Sequence, residues 1–524
     1  MKKTIIFIFL TIIYLPLCLK CASKVCDVPC DVELKGYTSV KKRPDVNKNN
    51  ILDGSFQADF TSWLESNLKP RGVLVRTYST INYNLFGVGN RVIGKNDDIF
   101  EPAYINTTLS IGETYDFTKA ENQERMQEFV DTIVSVQKKL EKFDKNVYVY
   151  VAASKSDFHY ENIPDKYLNL APEERVTSVD YLQTLLRETE IPHYFTKKMK
   201  DSLEYPAFYS TGIHWSKTYE QLVTNKVISD IADVTEKRYR AIKLSEVQSS
   251  KEPYWRDSDV YDLLNVWEKP DVTYFKYKAE AEYPDSYDKM RFLVYGDSFA
   301  QGFRADIAET YPTEDVIYVN YNNWLADLEG HYTQLGQSWD NFDFQYYVDA
   351  ADVIVIEMVE PCIVEYTRGF VDLLDDFLDT YEPQSNTDNA FEVLDIAEGQ
   401  EYDLSKIKGA DERAEDYLWS KKYSEVKIKN SSKVEKGLEI LIEVPNEIIQ
   451  KEDKQDFWVY VNGKLLVREE TTESGELLWL IEADDLPETV DDVYSVEIFS
   501  EQAFVPVDDK TELSFKIKYI GGKR

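Results

Sequence analysis

Histidine and cysteine are scarce in these 524 residues: there are four of the first and five of the second. Cys18 and Cys21 fall within residues 1–23, which leaves Cys26, Cys30 and Cys362. No Cys/His spacing suits a metal site, so the chain is predicted to bind no metal, and nothing in it asks for an organic cofactor. Positive charge is short too. Sixty Lys and Arg face 95 Asp and Glu, a net of −35 at pH 7. A field of that sign repels phosphate backbones and anionic headgroups, which argues against nucleic acid as a partner. Internal repeats and low-complexity tracts are missing. So is an apolar run of the about 20 residues that a membrane span needs. The longest, from Ile5 to Leu19, follows Lys2 and Lys3 and precedes Cys21-Ala22-Ser23. A basic start, a short apolar stretch and small residues read as an export signal. Residues 1–23 are therefore expected to be a signal peptide, cleaved or kept as an anchor. The rest would lie outside the cytoplasm, in the cell envelope or secreted. There Cys26 and Cys30 have the chance to pair, and Cys362 stays a single buried thiol.

What is plentiful is apolar and aromatic: 43% hydrophobic residues, with 37 Tyr and 9 Trp. That is a globular composition, long enough for two or three domains. Aromatic rings also offer flat faces to sugars, although most such rings belong to cores. Residues 24–54 read as an extended lead-in. Helical spacing follows at 55–68, with Phe56, Phe60, Trp63 and Leu64 on one face, and again at 73–86. A small hairpin is expected at 91–98, then a long amphipathic helix at 121–143. Strand-like apolar runs at 146–153, 292–295, 316–320 and 353–358 alternate with helical stretches, the pattern of a parallel α/β layer. Residues 55–382 are assigned to this domain. Beyond a polar linker at 383–402, short strands with turn signals such as Asn462-Gly463 predict an all-β sandwich over 403–524. Trp458, Tyr460 and Trp479 on those strands are read as core or as a sugar platform, so a carbohydrate-binding role is one expectation.

The chemistry centres on Gly296-Asp297-Ser298. An unbroken apolar strand, Phe292 to Tyr295, runs into a glycine that lets the backbone turn, and Ser298 then stands at the strand's carboxyl end. A serine hydroxyl needs a base to take its proton. Among four histidines, His214 in Gly212-Ile213-His214-Trp215 is the best placed, before a helix near Thr218.

Several segments carry a resemblance. They are Asn82-Tyr83-Asn84-Leu85-Phe86 with Val92-Ile93-Gly94-Lys95, Ala152-Ala153-Ser154-Lys155, Gly212-Ile213-His214-Trp215, Gly296-Asp297-Ser298-Phe299 and Val355-Ile356-Glu357. In this order over residues 40–380 they resemble the SGNH hydrolase-like AlgJ/AlgX family of alginate O-acetylation, related to the DHHW family. The resemblance implies a Ser298 nucleophile with a His214 base, and an SGNH-like parallel-sheet fold. It implies an extracytoplasmic O-acetyltransferase acting on a polysaccharide through an acetyl-serine, with a membrane-bound O-acyltransferase as acetyl donor. The family's orienting aspartate falls on Gly212. Asp157, Asp257 or Asp259 is expected to replace it, and the sequence does not choose among them. Gly296 and Asp297 shape the turn, with the Ser298 N–H as an oxyanion donor. Lys155, Trp215 and Arg304 are candidate substrate contacts. An esterase using the same serine, and a non-catalytic glycan-binding relative, are the alternatives.

Overall fold

The computed structural model describes residues 32–36, 41–67, 71–86, 89, 91–254, 256–311, 316–326, 332–336, 339, 341–384, 390–396, 403, 406–413, 416–506 and 511–524, with isolated positions before residue 15. Apart from those isolated positions, the expected export signal lies outside the described residues, as do Cys26, Cys30 and His331. Among the described residues, no helix is long and apolar enough to cross a membrane.

The first domain is built on seven strands: β1 (Asn146–Ala152), β2 (His193–Phe195), β5 (Phe292–Gly296), β6 (Val316–Asn320), β7 (Trp324–Ala326), β8 (Tyr332–Gln334) and β9 (Val353–Val359). Between β2 and β5 the chain forms a separate two-stranded ribbon, β3 (Ile242–Ser250) and β4 (Tyr274–Ala281). The sheet order is β8-β7-β6-β5-β9-β1-β2. The five strands from β6 to β2 are parallel, and β7 and β8 are antiparallel additions at the edge. Strands β1, β5, β6 and β9 are buried almost throughout, so they read as continuous apolar runs.

Alternation sends successive side chains to opposite faces of the sheet. Val147, Val149, Leu293 and Ile354 meet α1 (Ala120–Leu140), α2 (Ser178–Arg187) and α6 (Phe370–Leu378). Tyr148, Tyr150, Phe292 and Val294 meet α3 (Lys217–Thr235) and α5 (Ala300–Thr310). Each fully buried Val, Leu or Ile contributes about 1.5–3 kcal/mol, which fixes the register of the central strands. From β5 the chain steps outward to β6, then returns to β9 on the other side of β5. The carboxyl ends of β5 and β9 therefore flank a switch in strand order, where open α/β sheets hold ligands.

The second domain is antiparallel: β10 (Ile407–Arg413), β11 (Leu418–Lys429), β12 (Gly437–Val444), β13 (Gln455–Val461), β14 (Lys464–Thr471), β15 (Gly475–Glu482), β16 (Val493–Ser500) and β17 (Phe515–Gly522). Strand β11 is shared, pairing with β17 through its first half and with β16 through its second. It turns the corner between two layers, so the sandwich approaches a barrel. Trp458, Tyr460 and Trp479 are buried in it and form core, not an open platform. The stretch that reads as a linker is partly woven in, since Leu394 and Asp395 pair with β17.

The two domains share a seam. Tyr287 N donates to Gly463 O (2.8 Å), Leu465 N to Asp285 O (2.9 Å), and Tyr283 stacks on Trp458 at 3.9 Å. In the lead-in, Asn47 caps a short helix, Lys48–Leu52, where an extended chain is expected.

Candidate active site

Ser298 stands just beyond β5, half-buried, at the turn into α5. Gly296 is required there: a Cβ would come within 2.6 Å of Ala300 Cβ and 2.7 Å of Glu357 Oε2. Asp297 ties the turn to β9 and α5. Its carboxyl accepts from Val359 N (2.7 Å) and Phe299 N (2.8 Å), and its own N–H donates to Glu357 Oε2 (3.0 Å). Burial raises the pKa of Asp297, and burial together with Asp297 raises that of Glu357 well above the ordinary range. Two buried carboxyls in contact cannot both ionise, so the pair holds a proton.

His214 is set by a turn between β2 and α3. Ser216 caps α3 by accepting from Tyr219 N (3.2 Å), which fixes the entry to the helix. His214 Nε2 lies 2.6 Å from Ser298 Oγ, and Nδ1 lies 2.6 Å from Asp259 Oδ2. Asp259 opens α4 (Asp259–Leu264), and its Oδ1 accepts from Ile213 N (2.9 Å). Burial pushes the Asp259 carboxyl up, but the His214 contact and the N–H groups of Ile213 and Val260 outweigh it and hold the group below its ordinary value. An ionised Asp259 accepts a hydrogen bond from Nδ1–H, leaving Nε2 to accept from the serine hydroxyl. Serine, imidazole and carboxylate thus form one hydrogen-bonded chain.

Three aspartates are candidates for the orienting acid, and the structure brings one of them to His214. Asp157 lines a small cavity of about 150 Å³ with Glu360 and Arg175. Asp257 is buried, accepts from Lys217 N (3.2 Å) and Tyr254 N (3.3 Å), and is pushed up to about 8 by burial. Asp259 comes from the loop that joins β3 to β4, and this loop explains Gly212. Thr211 Oγ donates to Asp257 O (2.9 Å) and Tyr261 N to Thr211 O (2.9 Å), so the two backbones run against each other. A Cβ at residue 212 would sit 2.7 Å from Asp257 O. There is no room for a side chain at 212, and the acid arrives from across the contact.

The candidate substrate contacts have other work. Lys155 is fully enclosed: Nζ donates to the carbonyls of Ile99 (3.0 Å), Ser210 (2.8 Å) and Gly212 (2.9 Å) and pairs with Asp98 (3.1 Å). Burial lowers it to about 8. No sugar reaches it; it holds the His214 turn in place. Trp215 is 3% exposed, packs on Phe299 and donates to Glu220 (3.1 Å), so it too is core. Arg304 is half-buried on α5, and among the described residues no hydrogen bond joins it to Ser298, His214 or Asp259. Of the other histidines, His159 contacts Asp98 (2.8 Å) and His193 contacts the Ile191 carbonyl (2.8 Å), both away from the serine.

Arg256 has no counterpart among the sequence candidates. Its Nη1 donates to Ser298 O (3.0 Å) and stands 3.2 Å from His214 Nε2, while Nη2 bonds Gln301 Oε1. The only hint in the sequence is its place in Arg256-Asp257-Ser258-Asp259, beside two of the candidate acids.

No protein-family model matches the chain, and no curated protein matches it. Solved structures do. The O-acetyltransferase domain of Pseudomonas putida AlgJ is similar at 12% identity and a TM-score of 0.35, over 55% of this chain and 99% of that one. Pseudomonas aeruginosa AlgX is similar at 10% identity and 0.34, over 82% and 90%. Bacillus cereus PatB1 follows at 11% identity and 0.28, over 48% and 93%. Identities and TM-scores this low carry no function from those proteins to this chain.

Proposed function

We propose that this protein is a serine-dependent O-acyltransferase of the SGNH type, moving acetyl groups onto hydroxyls of an extracytoplasmic polysaccharide. The observation that carries this reading is the chain Ser298 Oγ–His214 Nε2 (2.6 Å) and His214 Nδ1–Asp259 Oδ2 (2.6 Å) at the carboxyl end of the central strand. The acetyl group and the polysaccharide acceptor come from the resemblance of the segments around Lys155, His214 and Ser298. The same resemblance supplies the membrane-bound O-acyltransferase as donor.

In the first half-reaction Ser298 Oγ attacks the carbonyl carbon of the donor's acetyl ester while His214 Nε2 takes the hydroxyl proton. The oxyanion is met by the Ser298 N–H and the Arg256 guanidinium. When the C–O bond to the leaving group breaks, Nε2 returns the proton to it, and acetyl-serine remains. In the second half a sugar hydroxyl gives its proton to Nε2 and attacks the acetyl carbon, and Ser298 Oγ leaves with that proton. Asp259 keeps Nδ1–H throughout and offsets the imidazolium charge. Water in place of the sugar makes the same site an esterase. The contact of Asp259 with His214 favours the catalytic readings over the glycan-binding alternative.

Purified protein is tested with an activated acetyl ester, with and without an oligosaccharide acceptor. Acetylated sugar supports transfer, and acetate alone supports the esterase. Ser298→Ala is expected to abolish either product and the acetyl adduct on the Ser298 peptide, leaving thermal unfolding unchanged. Wild-type turnover in that variant overturns the serine mechanism.

A further inference from the structure

Among the described residues, large apolar side chains left in solvent gather between residues 46 and 85. Val46 is 64% exposed, Leu52 75%, Leu74 44%, Tyr78 70%, Ile81 49% and Leu85 71%. The last four stand at i, i+4, i+7 and i+11 on the helix Arg71–Phe86, so they form one stripe. The other side of that helix is used by the fold. Arg76 donates to Val266 O (3.1 Å), and Tyr83 meets the ring of Tyr261 on α4, edge to face at 6.3 Å. The neighbouring helix Ser55–Asn67 has no buried residue. Single exposed apolar residues are ordinary, whereas a contiguous stripe marks a binding face.

Charge narrows what covers it. Residues 41–86 carry seven Lys and Arg against four Asp and Glu, a net of +3, in a chain whose net is −35. The bulk of the molecule is repelled by an anionic surface, and this segment is drawn to one. It also follows the apolar run Ile5 to Leu19 in the same chain. An apolar helical stripe flanked by cations is the form of an element lying in the headgroup layer of a bilayer.

We propose that residues 41–67 and 71–86 are a docking element for an anionic lipid surface, with Leu74, Tyr78, Ile81 and Leu85 entering the headgroup layer and the exposed Lys41, Lys42 and Arg43 meeting its phosphates. The inference stands apart from the acyl-transfer reading. It does have a bearing on it, because the helix rests on α4, which begins with Asp259. A docked molecule holds that carboxylate and the serine at a fixed height above the membrane.

Hydrogen–deuterium exchange of the full chain tests this, with vesicles of phosphatidylcholine alone and of phosphatidylcholine mixed with phosphatidylglycerol. Attraction of a net +3 segment favours the anionic vesicles on the order of 100-fold. Peptides spanning 71–86 are expected to be protected by the anionic vesicles and not by the neutral ones. The variant Leu74→Gln/Tyr78→Gln/Ile81→Gln/Leu85→Gln should lose that protection and keep the parent's thermal unfolding. A second variant, Lys41→Gln/Lys42→Gln/Arg43→Gln, leaves the stripe intact and should weaken the preference for anionic lipid. Protection by neither vesicle, or equal protection by both, overturns the proposal. So does protection retained in the quadruple variant. Protection without lipid that rises with protein concentration assigns the stripe to a second copy and overturns it as well.

Discussion

Glu357 lies at the carboxyl edge of the central sheet and Glu425, on β11 of the second domain, abuts its amino edge; at 1% and 2% exposure, burial has opposite outcomes for them. At the carboxyl end Glu357 faces another carboxyl, Asp297, and is held protonated. At the amino end Glu425 faces Lys289 (2.7 Å), Arg291 (3.3 Å) and Lys408 (3.3 Å). Burial opposes its charge, but Lys289, Lys408 and Arg291 outweigh that and hold it well below the ordinary range. Desolvation is shared; the neighbours decide. The difference suits the two edges. Beside the serine, a neutral Glu357 adds no further negative charge next to the imidazole. At the domain seam full ionisation binds the parts, because a buried charge holds to its partners.

The contrast breaks most visibly at Asp259. Asp259→Asn is expected to lower kcat on an activated acetyl ester by about 10⁴-fold, the usual cost of giving a triad histidine the wrong tautomer. Asp157→Asn should leave it within a few-fold. If both variants turn over like the parent, the carboxyl edge holds no orienting acid.

Next in size is Glu425→Gln. Removing one member of a buried ionic cluster costs about 3–5 kcal/mol, to be read from urea unfolding at pH 7, while ester turnover per folded molecule stays unchanged. The deficit has a sign in pH. A carboxyl whose pKa is depressed on folding contributes stability above its unfolded value, 4.5, and loses it as pH falls through the lower folded value. The gap between variant and parent should therefore close in acid. A gap that widens there means Glu425 is not ionised in the native state.

The same exchange at the other end, Glu357→Gln, should be the mildest. An amide replaces a group that is already neutral and still donates towards Asp297, so a loss of about 1 kcal/mol or less is expected. A loss matching that of Glu425→Gln erases the distinction between the edges.

Much of the carboxyl edge around Ser298 was legible in the sequence because it is local. The run Phe292 to Tyr295 and the turn at Gly296 announce a buried strand and its end, and Ser298 follows from them. His214 required the resemblance, since a lone histidine beside a tryptophan has no periodic signature. Asp259 could only be narrowed to three. Its contact with His214 spans 45 residues, and the choice depends on how the β3–β4 loop lies across Thr211 and Gly212. Lys155, which reads either as holding its loop or as facing an anionic sugar, stays open for the opposite reason. A lysine after a strand looks available to substrate, and only the converging carbonyls of Ile99, Ser210 and Gly212 reveal that it is enclosed. Strands β3, β4, β10 and β14 lack a clean apolar alternation, because they lie at edges where one face or both meet solvent.

The seam at residues 283–291 bears on how such a protein is inherited. Strand β5 is reached only through a segment whose carbonyls, tyrosines and cations are already committed to the second domain: Asp285 to Leu465, Tyr287 to Gly463 and Glu497, Lys289 to Glu425. A recombination event that exchanged the β domain at the 383–402 junction would deliver a foreign partner to those groups. Arg291 and Lys289 would lose their carboxylates in the same step. Such a swap survives only if the newcomer brings its own acids to the same places, so the two halves are expected to travel through lineages as one heritable unit.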